Sequence, residues 1–224
     1  MSKLKDKEQE RAGIVLSILR RNFSVPRSVQ AADDPFKVLV RTIISQSTVE
    51  ANTRRAYQNL SSRLPVTPDG LAKAKLEELE EALKTAGLFR NKARVIKEVS
   101  ELILHRFNGS LDFVYSLPLA EARRSLMDLP GVGPKTADIV LLFCAKKPVL
   151  PVDTHVNRVA KRLGFVDQKA RYEEVRGRLE ELFAAESYLD VHMLFIALGR
   201  THCGALKPSH ASCPVTGLCP SSES

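Results

Sequence analysis

Apolar positions recur at helical spacing along almost the whole chain. Asp34-Pro35 reads as an N-cap followed by a first-turn proline, and Phe36, Val38, Leu39, Ile43 and Ile44 then return on one face. The same pattern predicts helices over Val49 to Leu64, Leu76 to Ala86, Ala93 to Phe107, Leu119 to Leu129 and Pro134 to Lys146, each bounded by Pro, Gly or Asn. After Lys147-Pro148 three more follow: Thr154 to Leu163, Tyr172 to Phe183 and Tyr188 to Gly199. No stretch alternates with period two long enough to build a sheet, so the expected class is all-α. The segment from Thr201 crowds Cys, His, Pro, Ser and Gly among few apolar residues, and something other than a hydrophobic core must hold it.

Composition narrows the setting. A 44% hydrophobic and 27% charged content over 224 residues is that of a globular chain long enough for one or two domains. The longest apolar run, Ile139 to Ala145, falls far short of the ~20 residues a membrane span needs, and Met1 to Arg21 interleaves charges where a signal segment would be apolar. The expected setting is cytoplasm or nucleoid, or a eukaryotic nucleus, with no membrane partner. There, four cysteines point to metal ligands or free thiols before disulfides.

Charge placement says more than its total. The 34 Lys and Arg exceed the 26 Asp and Glu by eight. Lys84 to Ile96 carries a net +4 and Gly133 to Arg162 another +4, which together equal the whole surplus. Both segments contain an inter-helix glycine, where backbone N–H groups add to the attraction for phosphate, so nucleic acid is favoured over a merely solvated face.

The sharpest motif is Leu129-Pro130-Gly131-Val132-Gly133-Pro134-Lys135-Thr136-Ala137. Two glycines one residue apart permit a tight turn, Pro134 suits a first helical turn, and Val132 reads as an apolar peg. Lys135 stands near a helix N-terminus, where the dipole disfavours a cation and so favours the neutral amine a nucleophile needs, although on the residues alone it reads equally as a phosphate-contacting or solvated lysine. Eighteen residues on, in Pro151-Val152-Asp153-Thr154-His155, Asp153 reads as an N-cap whose carboxylate could also stabilise a cationic sugar.

This combination resembles the endonuclease III branch of the helix-hairpin-helix DNA glycosylases, from about Pro35 to Cys219. The resemblance implies two helical domains with a DNA groove between them. One is a six-helix barrel over residues 28–147; the other combines 1–27 with 148–224. It implies that Lys135 attacks C1′ of a damaged nucleotide, that Asp153 assists departure of the base, and that β-elimination cuts the strand. The expected substrate is double-stranded DNA bearing an oxidised pyrimidine, and the expected form is a monomer. Mispaired thymine or uracil, or an oxidised purine, is the alternative target; a non-catalytic DNA-binding module is the alternative function. Lys135 argues against an adenine-removing relative, which lacks it.

Ser45-Gln46-Ser47-Thr48 is similar to the segment whose glutamine fills the gap left by the flipped nucleotide. Gly87-Leu88-Phe89-Arg90-Asn91-Lys92-Ala93 is similar to the loop whose leucine wedges into the opposite strand. On the residues alone, Gln46 could equally cap a helix end and Leu88 could be core. The DNA contacts implied are Gln46, Leu88, Arg90, Lys92, Gly131, Val132, Gly133, Thr136 and His155. The family's glutamate eight residues before the lysine is Met127 here, beside Asp128.

Cys203, His210, Cys213 and Cys219 are separated by six, two and five residues. The family has a cysteine at each place and a 4Fe-4S cluster, so His210 is a departure. A Cys3His 4Fe-4S cluster, a Cys3His zinc site and a tail without metal are the three readings. Cys144 reads as a buried thiol and His202 as a solvent-facing neighbour.

Overall fold

A computed structural model of the chain describes residues 2–25 and 34–222. Among these residues there are twelve α-helices and no strand, as the periodicity predicts. The chain divides into two compact units, Ala32–Lys146 and a second assembled from the segments on either side of it. The break thus falls one residue before the expected end at 147. The expected boundary at 27/28 lies outside the described residues.

Helix α1 (Ser2–Asn22) belongs to the second unit. The Ala32–Lys146 unit holds α2 (Pro35–Ser45), α3 (Glu50–Arg63), α4 (Pro68–Lys73), α5 (Leu76–Leu83), α6 (Phe89–Phe107), α7 (Phe113–Ser116), α8 (Leu119–Met127) and α9 (Pro134–Phe143). All six helices read from the sequence in this unit are there, and α4 and α7 are additions too short to display a period. The Asp34 carboxylate caps α2 by accepting from the N–H groups of Phe36 and Lys37 at 3.0 and 3.2 Å. The apolar face of α2 is buried through Leu39, Val40, Ile43 and Ile44, against a core to which Leu60, Leu83, Ile96, Ile103 and Leu126 contribute. Truncating one of these to Ala costs about 2–5 kcal/mol. Lys97 of α6 closes α4 by donating its ammonium to the carbonyls of Ala72 and Ala74.

The second unit holds α1, α10 (Thr154–Arg162), α11 (Tyr172–Leu182) and α12 (Tyr188–Thr201), followed by single 3-10 turns at His210–Ser212, Thr216–Leu218 and Pro220–Ser222. Phe165, Phe183 and Phe195 form its centre, with ring centroids 6.0 to 6.5 Å apart. Sequence reading did not pick out α1 because charges interrupt it, yet Ala12, Val15, Leu16 and Leu19 bury one stripe. Arg20 pairs with Asp190 of α12 at 2.7 Å, and Arg11 donates to the Leu163 and Leu218 carbonyls with its guanidinium over Phe165. Among the described residues no single helix is long and apolar enough to cross a membrane.

Candidate active site

The glycine motif forms the turn between α8 and α9. Gly131 adopts φ +71°, and a Cβ there would lie 2.7 Å from Val95 Cγ1 on α6, so both conformation and space require glycine. Gly133 differs: it is the extended N-cap of α9 and a Cβ would meet nothing within 4 Å. Its open face is suited to the approach of a ligand to the N-terminus of α9. Pro134 and Lys135 are the first two residues of α9, and Lys135 is half-buried. Val132 is 5% exposed and Thr136 4%, and their N–H groups are taken by the carbonyls of Leu129 and Gly133. These two expected DNA contacts are therefore internal: Val132 is the peg of the turn, and Thr136 is packed beneath it.

One more loop of the same unit meets this turn, and another abuts that loop. Gln46 ends α2, its backbone N–H bonded to Ile43 and its side-chain amide donating to the Gly131 carbonyl at 3.1 Å. It is both a helix-end residue and a bond to the glycine turn. Ser47 and Leu88 carry φ values of +52° and +58°, and Gly87 would place a Cβ 3.5 Å from the Ser47 carbonyl, so the two loops abut. Leu88 is 67% exposed, which removes the core reading. Arg90 is exposed, over the Phe89 ring. Lys92 is 3% exposed and donates to the Ile44 carbonyl at 2.8 Å, so it offers no surface charge to phosphate. Burial pushes its pKa down.

In the second unit Asp153 caps α10, with Oδ1 accepting from the Val156 N–H at 2.7 Å; Oδ2 accepts no hydrogen bond among the described residues. His155, the second residue of α10, packs so closely on α12 that a Cβ at Gly199 would come 2.8 Å from its Nδ1. Burial lowers the His155 pKa, opposed by the Asp153 carboxylate and reinforced by Arg158. Arg158 spans three partners: His155 Nδ1 at 3.1 Å, the Gly199 carbonyl at 2.9 Å and the Cys203 carbonyl at 2.8 Å. Arg162 donates to Cys203 Sγ at 3.3 Å and to the Gly204 and Ala205 carbonyls, while its own carbonyl accepts from Cys219 Sγ and Ser221 Oγ.

Cys203, His210, Cys213 and Cys219 line one small cavity floored by Val159, Leu163, Leu198 and Val215. Three thiols and an imidazole in an apolar cup suit iron or zinc. Among the described residues no three such side chains converge to hold a single ion. A four-iron cluster makes no such demand, because each ligand binds its own iron. Burial raises the Cys213 pKa, with Cys219 and Cys203 adding to the effect. His202, half-buried, lines the cavity and packs edge-on against Phe23 at 6.0 Å, so it is partly solvent-facing and partly cavity wall. Cys144 is a buried cysteine of the other unit.

Residues 40–185 match the family described as HhH-GPD superfamily base excision DNA repair protein. The chain is 34% identical to endonuclease III of Sulfolobus acidocaldarius over 185 residues, covering 82% of this chain and 81% of that protein. It is 36% identical to endonuclease III of Thermotoga maritima over 186 residues, 83% of each. The chain belongs to the endonuclease III family of HhH-GPD base excision repair proteins. It is thus an enzyme of DNA repair. A solved endonuclease III–DNA trapped covalent intermediate superposes with a TM-score of 0.84 at 32% identity, over 96% of this chain and 97% of that one.

The structure also has features that the sequence pattern does not display. Asp138, fully buried on α9 one turn beyond Lys135, holds Arg123 of α8 through both oxygens at 2.6 and 3.3 Å. The one clue was an acid opening an apolar run. The internal work of Lys92, Arg158 and Arg162 had no signal in a linear sequence, where each reads as surface charge.

Proposed function

We propose that this chain is a bifunctional DNA glycosylase and abasic-site lyase that removes oxidised pyrimidines from duplex DNA, acting as a monomer where the cell keeps its DNA. The observation that carries the reading is the position of Lys135, the second residue of the helix that leaves the glycine turn, on the turn to which Gln46 is bonded. Rotating a base out of the stack costs roughly a few kcal/mol. Phosphate held at the open Gly133 face, with Gln46 and Leu88 entering the vacated stack, offsets that cost.

The neutral Lys135 amine donates its lone pair to C1′ as the C1′–N bond breaks, and the base departs with the bonding pair and takes up a proton. Positive charge that develops on the sugar is stabilised by the Asp153 carboxylate, whose second oxygen is not committed to the helix cap. The ring oxygen then leaves C1′ with the bonding pair and takes up the proton given up by the Lys135 nitrogen, which leaves a protonated Schiff base on Lys135. Loss of a C2′ proton then expels the 3′ phosphate, and water releases the enzyme. A relative captured covalently on DNA supports this chemistry. Cys203, His210, Cys213 and Cys219 would hold a 4Fe-4S cluster whose contribution is to tie the tail down. Imidazole serves at iron in other cluster types.

Borohydride trapping on duplexes with an abasic site or thymine glycol tests the reading. The expected result is a covalent adduct that disappears in Lys135→Gln. No adduct on either substrate overturns it, and base release without strand cutting assigns a monofunctional enzyme. Iron and zinc analysis of anaerobically purified protein decides the metal.

A further inference from the structure

Helix α6 touches all three loops of the Ala32–Lys146 unit that the proposed function aims at DNA. Leu88, Lys92 and Val95 stand at i, i+4 and i+7, and so share one face. Leu88, at the N-cap, is the exposed wedge; Val95 fills the space that a side chain at Gly131 would need. Between them the Lys92 ammonium reaches the carbonyl of Ile44, two residues before Gln46. That carbonyl lies in the last turn of α2, where a helix leaves acceptors without N–H partners and the dipole favours a cation. A buried ammonium is costly to desolvate, and a solvated lysine would serve a phosphate better. A residue that is only structural could have been methionine.

From this geometry we infer that Lys92 is a positioning residue: its ammonium fixes the end of α2 to the first turn of α6, so that the Gln46 plug and the Leu88 wedge enter a lesion as one rigid pair. The neighbouring conformations fit that role. Ser47 and Leu88, one in each loop, both sit in the left-handed region without being glycine, a state that persists only where surrounding contacts impose it. Gly87 lets the loops meet, and Gln46 extends the tie to the glycine turn. Removing the ammonium would free the loops to move independently while leaving Lys135 in place. The loss should therefore fall on recognition of distorted DNA more than on the chemical step.

This inference rests on the reading of Gln46 and Leu88 given above, and the experiment separates the two. Full-length protein with Lys92→Met is compared with wild type on an intact duplex and on one carrying a tetrahydrofuran abasic analogue opposite 2-aminopurine. In the variant, affinity for the abasic duplex should fall about tenfold, the scale of a buried cation lost from a helix C-terminus, with affinity for the intact duplex unchanged. The fluorescence rise of the estranged 2-aminopurine should be lost, and the borohydride trapping rate on a separate duplex with a true aldehydic abasic site, at saturation, should fall less than the affinity does. Wild-type discrimination between the duplexes in Lys92→Met overturns the proposal, as does an equal loss on both. If Lys92→Met fails to fold, Lys92→Gln is judged by the same measurements; failure of both to fold overturns the proposal and makes Lys92 a folding residue. Wild-type protein that neither traps nor changes the fluorescence removes the underlying reading and the proposal with it.

Discussion

The glycine turn and the Cys/His tail are both loops without an interior of their own, and they are held by different means. The turn is set by packing and backbone shape: Val95 fills the space at Gly131, Val132 is buried as a peg, and Gln46 bonds the Gly131 carbonyl. The tail has Val215 as its buried apolar residue, and is held by the arginines of α10, which donate to the Cys203 carbonyl, the Cys203 sulfur and the Gly204 and Ala205 carbonyls. A loop next to a large core can rely on shape. A loop beyond it needs charged donors and, on the proposed reading, a cluster.

The comparison breaks most completely at a residue that the proposed reading makes a cluster ligand. Cys213→Ala should lose bound iron and leave the segment after Thr201 open to proteolysis; iron content and limited digestion measure both. Retained resistance to protease would mean that the arginines suffice alone.

Gly131→Ala comes next. The left-handed conformation costs about 1–3 kcal/mol and the overlap with Val95 a further 1–3. Thermal unfolding should show most of that loss. Gly133→Ala meets no protein atom, so its stability should stay within about 0.5 kcal/mol of wild type while affinity for abasic duplex drops. Equal shifts in Tm for the two variants would erase the distinction between a glycine kept for the fold and one kept open for DNA.

A third test is Arg158→Met, which strips donors from the Gly199 and Cys203 carbonyls at once. A loss of about 1–3 kcal/mol is expected, visible as faster amide exchange around Cys203. An unchanged exchange pattern would show that Arg162 holds the tail without help.

The smallest effect concerns pH. Burial depresses the His155 pKa below its ordinary 6.5, so the folded state favours the neutral ring. The stabilisation is full above the unfolded pKa and is lost as pH falls through the depressed folded value. Wild-type Tm should therefore decline on acidification below about pH 6.5, and less steeply in His155→Asn. Parallel pH curves would remove His155 from the balance.

Sequence disclosed the class, the long helices and the residues of the turn because period and punctuation are local properties. It did not disclose α4 or α7, which are too short for a period, nor the start of α6 at Phe89, hidden because the wedge loop and the helix share residues. Charge was the least legible quantity. Lys92, Arg158 and Arg162 helped make up the two basic segments, yet all three are tied to carbonyls, sulfur or a ring inside the protein. The surplus facing DNA is therefore smaller than the linear count, and Arg90 with the open Gly133 face gains weight accordingly.

The second unit takes its helices from both sides of the first, and this sets an order of assembly on the ribosome. Arg20 waits for Asp190, 170 residues later, which at about 5–20 residues/s is a delay of roughly 10–30 s. The Ala32–Lys146 unit, with its own core, is fully synthesised within that interval. Cys213 and Cys219 emerge later still, so on the proposed reading the cluster is inserted at the end of maturation, onto a chain whose Lys135-bearing unit is already complete.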